Sequence, residues 1–179
     1  MKSARIFLTG EPGVGKTTVI RKVVQELQSR GIVVGGMTSS EIREGGSRTG
    51  FQVEDISSRQ VGELAKLGQT FPGAPMVGRY GVNLADVERV GVTAIRHALK
   101  VANVVIVDEV GPMELKSSQF VLAVEDALAS TKNFLGTLHK RASHPLTNSI
   151  RTNSNYQIIE LTPANRNMII PQVIAQFVC

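Results

Sequence analysis

Gly10-Glu11-Pro12-Gly13-Val14-Gly15-Lys16-Thr17, written GEPGVGKT, follows directly on the apolar run RIFLT (residues 5–9) and decides the fold. Its spacing is G-x-x-x-x-G-K-[ST]. Glycines placed in this way let successive backbone N–H groups turn inward onto phosphate oxygens. Lys16 then reaches the β and γ phosphates, and the Thr17 hydroxyl can ligate Mg²⁺. The helix that follows points its positive end at the same anion. Taken alone, the stretch is also a Gly-rich turn ahead of an amphipathic helix. What favours phosphate is the strand before it and the helix after it, both of which the mechanism requires.

Residues 4–9 read as the first strand. Val19, Ile20, Val23, Val24 and Leu27 form one stripe of a helix from Gly15 to about Arg30, which Gly31 ends. IVVGGMTS (32–39) reads as a second strand, and SEIREGGSRTGFQVEDI (40–56) as a β-hairpin turning at Gly45-Gly46. Residues 57–84 show little periodicity and hold five glycines and two prolines, from Gly62 to Gly81. They read as an irregular excursion off the sheet that covers a substrate. Asn83 caps an expected helix to about Lys100. Further strands are expected at VVIVDE (104–109), NFLGTL (133–138) and YQIIEL (156–161). Helices are expected at 118–130, at about 140–150, and after Thr162-Pro163 as N-cap and first residue, with Pro171 kinking or interrupting the last one. Short β-branched runs alternating with amphipathic helices give an α/β fold: a mainly parallel central sheet flanked by helices, with an inserted β-hairpin, in one domain over residues 1–179.

The chain has 179 residues, 42% hydrophobic and 20% charged, an ordinary globular composition. Its longest apolar runs, such as VANVVIV, are too short to cross a bilayer, and no signal-peptide pattern precedes RIFLT. Cys179 is the single cysteine, which excludes an internal disulfide and a cysteine-based zinc site, and fits a cytoplasmic location. The net charge is +5, but the basic residues are scattered, Trp is absent and Tyr numbers two. A nucleic-acid surface built from basic and stacking residues is therefore not expected; a phosphorylated substrate accounts for the surplus.

VVIVDE suits a buried central strand whose acidic end reaches the ligand. There Asp108 takes the Mg²⁺ beside Thr17, and Glu109 is placed to orient or deprotonate an attacking water. Phosphoryl transfer needs mainly positioning and charge neutralisation, so one lysine, one carboxylate and a metal suffice. Ligands of doubly wound sheets lie at the carboxyl ends of strands, which brings Thr137 and His139 towards the γ-phosphate. Arg166 after the last strand, Arg48 in the hairpin and Arg79 in the excursion are further candidates for phosphate or base contacts; each is equally an ordinary solvated arginine.

Taken together, FLTGEPGVGKTT, SEIREGGSRTGF, VGRYGV, VIVDEVGPMEL and LTPANRN, in that order over nearly the whole chain, resemble one family. It is the small P-loop nucleoside-triphosphatases of thermophilic archaea and bacteria, whose vertebrate member is a cancer-related nucleoside-triphosphatase. LHKRASHPLTNSI (138–150) lies outside the matched stretches. The resemblance implies a RecA-like P-loop NTPase fold and slow, Mg²⁺-dependent hydrolysis of ATP, GTP, CTP, UTP and TTP with broad base specificity. It also implies two nucleotide-contacting stretches. One is Gly10, Glu11, Pro12, Gly13, Val14, Gly15, Lys16, Thr17 and Thr18. The other is Val105, Ile106, Val107, Asp108, Glu109, Val110, Gly111 and Pro112. Lys16 and Glu109 take the catalytic roles, Thr17 and Asp108 the metal. Two other readings stay open. A nucleotide or small-molecule kinase uses the same loop and passes the phosphoryl group to an acceptor in the excursion. A nucleotide-dependent switch or accessory protein binds more than it cleaves, although no N-K-x-D guanine-reading stretch occurs.

Overall fold

A computed structural model describes residues 3–68 and 71–178. Gln69 and Thr70, inside the expected excursion, and the terminal Cys179 lie outside the described residues. The strand and helix expected on either side of the glycine loop both form: β1 (Arg5–Thr9) runs into it, and α1 (Lys16–Ser29) leaves it. The hairpin forms from β2 (Val34–Glu44) and β3 (Ser47–Asp55), and the chain continues through β4 (Val61–Leu67), β5 (Met76–Val77) and β6 (Tyr80–Val82). Later come β7 (Val104–Val110), α4 (Ser118–Ala129), β8 (Asn133–Leu138), α5 (Pro145–Thr152), β9 (Gln157–Glu160) and α6 (Arg166–Ala175). Among the described residues, nine strands form one sheet in the order β5-β6-β4-β3-β2-β7-β8-β1-β9.

The pairings from β2 through β7, β8 and β1 to β9 are parallel, and those from β2 outward to β5 are antiparallel. β2 serves both halves. Its Val34–Met37 pair with β7, and Met37–Glu44 pair with β3. Central parallel strands are covered on both faces, and their side chains divide strictly by parity. Ile6, Leu8, Val104, Ile106 and Leu135 pack with the α1 stripe and with Ile169 and Val173 of α6. Phe7, Val105, Val107 and Phe134 pack on the opposite face with Ile95, Phe120 and Val124. Each such side chain contributes about 1.5–3 kcal/mol on burial, and together they hold the carboxyl edge of the strands rigid.

Three expectations are corrected. Residues 57–84 are not irregular: β4, β5 and β6 extend the sheet there. Their interrupting glycines and short lengths hide the alternation, which survives in β4 only as exposed, buried, exposed, buried. The helix from Asn83 is not uniform. It begins as α2 (Leu84–Asp86), widens to a π-helical stretch over Val87–Val92 and continues as α3 (Thr93–Val101). The widened turn presents Gly91 to Met37 of β2, where an added Cβ would sit 3.1 Å from the sulfur. Finally, α6 starts at Arg166 with Asn165 preceding it. Thr162 and Asn165 instead exchange hydrogen bonds in a turn, and the helix runs through Pro171.

The start of α2 also covers part of β4. The Glu63 N–H donates to Asp86 Oδ2 at 2.7 Å, and the Leu64 carbonyl accepts from the Asn83 N–H at 3.0 Å.

Candidate functional site

The loop after β1 turns through Gly10, Gly13 and Gly15 at φ of 145°, 79° and 107°, values that side-chain-bearing residues rarely adopt. Gly15 immediately precedes α1. Lys16 folds back over this loop, its Nζ donating to the Gly10 carbonyl at 3.1 Å and to the Glu11 carbonyl at 3.4 Å. Lys140 bridges Glu11 (3.0 Å) and Glu160 (2.7 Å), tying the ends of three neighbouring strands together at their surface.

Two strands away, β7 delivers two carboxylates to the same edge. Asp108 is buried; its Oδ1 accepts a 2.6 Å hydrogen bond from Thr137 on β8, and its Oδ2 has no hydrogen-bond partner among the described residues. Burial pushes the Asp108 carboxyl up from its ordinary value. The Thr137 and Thr17 hydroxyls and the Lys16 and Arg21 charges work in the other direction. The next peptide bond, Asp108–Glu109, is cis, and the β7–β8 register shifts between Val107 and Val110. Glu109 lies over Gly111, where an added Cβ would come within 2.6 Å of Oε1. Burial and the neighbouring Asp108 charge push Glu109 up to about 7, against the pull of Lys16. Glu114 is a third buried carboxylate, raised by burial first and by Glu109 second.

These groups open into one cleft of about 640 Å³. Pro12, Gly13, Gly15, Lys16, Thr17 and Thr18 line its loop end, and Asp108, Glu109, Pro112 and His139 its middle. Its far end lies against the hairpin. The His139 imidazole is pushed below its usual range by burial and by Lys16, Arg151 and Arg141, so it is neutral at pH 7. Its Nδ1 accepts from the Arg141 N–H at 3.2 Å, which leaves the proton on Nε2 as a donor. Arg151 holds this loop by donating to the His139 and Ala142 carbonyls at 2.8 Å.

Several sequence candidates stand elsewhere. Val105, Ile106, Val107 and Val110 are buried in the sheet and do not line the cleft; they carry Asp108 and Glu109 to its edge. Val14 is likewise turned into the core. Thr137 is fully buried and meets Asp108. Arg79 sits on the exposed turn between β5 and β6, outside the cleft lining. Arg166 packs behind the glycine loop, donating to the Val14 carbonyl at 3.2 Å. Arg48 does line the cleft, but at the hairpin end and not beside Lys16. Sequence reasoning missed Arg21, Arg43 and Glu114, all cleft-lining. Glu114 lies two residues beyond the end of the second candidate stretch, within the same DEVGPMEL run.

An oxygen-rich set of one partnerless carboxylate oxygen and one hydroxyl suits a hard divalent cation that keeps waters and phosphate oxygens as its other ligands. With N–H groups, a lysine and a second carboxylate beside it, the arrangement can bind a polyphosphate and activate water against it.

Residues 5–174 match the family described as NTPase. The nucleoside-triphosphatase THEP1 of Thermofilum pendens is 44% identical over 174 residues, 97% of this chain and 94% of that protein. THEP1 of Pyrococcus abyssi is 40% identical over 172 residues, 96% and 91% of the two chains. The crystal structure of THEP1 from the hyperthermophile Aquifex aeolicus is similar at a TM-score of 0.84 and 32% identity, covering 98% of this chain and 99% of that one. The solution structure of a human cancer-related nucleoside triphosphatase gives a TM-score of 0.81 at 35% identity, covering 97% and 96%. The chain belongs to this nucleoside-triphosphatase family and has its α/β P-loop fold.

Proposed function

From that membership we propose that the protein hydrolyses nucleoside 5′-triphosphates to diphosphate and phosphate, with Mg²⁺, slowly and with little regard to the base. The observation that carries this reading is the buried Asp108 with its partnerless Oδ2, set between Thr17, Lys16 and Glu109. The loop N–H groups from Gly13 to Thr18 hold the phosphates. Lys16 exchanges the Gly10 and Glu11 carbonyls for phosphate oxygens, a stronger, charge-assisted pairing. Asp108 and Thr17 would hold Mg²⁺, which supplies positive charge against the phosphate oxygens when bound. Thr137 fixes the Asp108 rotamer by donating to Oδ1.

Glu109 accepts the proton of the attacking water. The water oxygen forms its bond to the γ-phosphorus as the bond to the β,γ-bridging oxygen breaks, and that electron pair leaves with the diphosphate. A base of pKa about 7 is matched to work at neutral pH. His139, neutral and with Nε2–H free, donates to a terminal phosphate oxygen. The reading makes this a single cytoplasmic domain with a nucleotide as its small-molecule substrate.

The test is phosphate release from ATP, GTP, CTP and UTP, with Mg²⁺ and with EDTA, for wild type and Glu109→Gln. Comparable slow release from all four is expected. It should stop in EDTA and fall about 10²- to 10⁴-fold in the variant, with ATP binding retained. Full activity in Glu109→Gln removes the base assignment, and equal activity in EDTA removes the metal. A strong preference for one base removes the breadth.

A further inference from the structure

The hairpin end of the cleft is built for more than water. In the strand order β2-β7-β8-β1, the phosphate loop follows β1 and the carboxylates stand at the carboxyl end of β7, so β2 and its hairpin lie beyond Asp108 and Glu109. A triphosphate on the loop puts its γ end at Lys16. The hairpin compartment therefore faces that end in the same cleft.

The hairpin wall carries two arginines, Arg43 and Arg48, against the carboxylate of Glu41. Arg43 and Arg48 are directly opposed across β2 and β3, an arrangement that destabilises a strand pair when the charges are alike. Glu41 holds both, its Oε2 accepting from Arg43 at 2.8 Å and its Oε1 from Arg48 at 2.9 Å. Arg48 is fixed further by the Tyr80 hydroxyl at 3.0 Å, and its guanidinium lies 5.1 Å from the Phe51 ring centroid and 5.5 Å from that of Tyr80. Phe51, Leu64, Val77 and Met113 supply apolar lining beside this flat cation. At the hairpin two arginines share one carboxylate, which fits an anion, and a flat cation-and-ring wall with apolar neighbours fits a planar ring. Inorganic phosphate or water would use only the first.

We propose that the hairpin end of the cleft is an acceptor site for a ring-bearing anion of the nucleoside-monophosphate class, to which the γ-phosphoryl group passes in place of water. The proposal rests on the triphosphate reading of the loop. An oxygen of the acceptor phosphate bonds to the γ-phosphorus while the bond to the β,γ-bridging oxygen breaks, its electron pair leaving on the diphosphate. A dianionic acceptor phosphate has no proton to lose, so this transfer does not need Glu109 as a base.

The experiment incubates the protein with γ-labelled ATP, Mg²⁺ and, in turn, millimolar AMP, CMP, GMP and UMP, and separates the labelled products. At least one monophosphate is expected to yield labelled diphosphate with saturation. Arg43→Glu, whose side chain is 58% exposed, should cut that product at least tenfold while phosphate release from ATP alone stays within twofold. Glu109→Gln should lose phosphate release and keep transfer. Labelled phosphate without labelled diphosphate for all four overturns the acceptor site and leaves hydrolysis standing. Labelled diphosphate without phosphate release from ATP alone overturns hydrolysis and leaves the acceptor site. Transfer unchanged in Arg43→Glu overturns the placement at the hairpin.

Discussion

Thr137 and Asp108 are joined by a 2.6 Å hydrogen bond between the ends of two neighbouring parallel strands, β8 and β7. The bond leaves Oδ2 as the free edge of the carboxylate. Thr137→Val keeps the side-chain shape and removes the donor. Outer partners of metal-holding groups typically govern metal affinity by about 10- to 100-fold. We expect the Mg²⁺ concentration for half-maximal turnover to rise about tenfold or more in this variant, and urea unfolding at pH 8 to show a loss of about 1–3 kcal/mol. An unmoved Mg²⁺ requirement would leave Thr137 as a core residue and nothing more.

The free protein should be more stable in mild acid than in mild base. Glu109 binds its proton more tightly folded than unfolded, at about 7 against 4.5, so its contribution is present below 4.5 and lost as pH rises through about 7. At about 1.4 kcal/mol for each tenfold in proton affinity, this amounts to about 3 kcal/mol. Asp108 and Glu114 are raised too and act with the same sign. Urea midpoints in EDTA without nucleotide should fall between pH 5 and pH 8 for wild type and fall less for Glu109→Gln. Identical slopes for the two proteins would contradict the burial of Glu109.

The same proton governs the proposed chemistry in the opposite sense. Hydrolysis needs Glu109 ionised, so kcat/KM for ATP should rise through an apparent pKa near 7 and level off above it. Stability and activity thus run against each other over one pH interval. A rate profile flat from pH 5.5 to 8.5 would show that Glu109 takes no proton from water.

Gly111→Ala tests position without touching charge. The new methyl would meet Glu109 Oε1 at 2.6 Å and push the carboxylate aside. Small misplacements of reacting groups can lower rates about 100-fold, so a fall of tenfold to 100-fold in hydrolysis is expected. ATP affinity, measured by titration calorimetry, should change less than threefold; an equal loss in both would mean the loop itself had moved.

Lys16→Ala removes a cation that rests on the Gly10 and Glu11 carbonyls. Hydrogen bonds to charged groups are worth about 1.5–3 kcal/mol, which corresponds to ATP binding weaker by about 10- to 100-fold. The thermal midpoint without nucleotide should shift little, because Lys16 is only half-buried and its bond to the Glu11 carbonyl is exposed.

The parallel half of the sheet was legible because it follows simple rules. A glycine loop has one spacing, α1 has one apolar stripe, and VVIVDE is apolar on both faces until its acidic end. The antiparallel half was not. β5 and β6 have two and three residues, below the length at which alternation can be recognised, and Gly62 interrupts β4. Asp108 and Glu109 could be singled out from the strand that carries them, whereas Arg43 meets the cleft only because the β2–β3 hairpin borders it. The Thr162-Pro163 pair predicts too early a start for α6 for a local reason: Thr162 and Asn165 bond reciprocally and close a turn of their own, and the helix begins only after it, at Arg166.

The covering of β4 by Asn83 and Asp86 bears on how this protein behaves when concentrated. An open sheet of nine strands has two edges, and unpaired edge groups are templates for another chain. Here one edge is the two-residue β5 and the other the four-residue β9, both shorter than an ordinary strand of about five or six residues. Behind β5, the stretch of β4 that β6 leaves bare has its N–H and carbonyl groups occupied at Glu63 and Leu64. Among the described residues neither margin offers a run long enough to start a fibre, so aggregation by strand addition there has to wait for the fold to open.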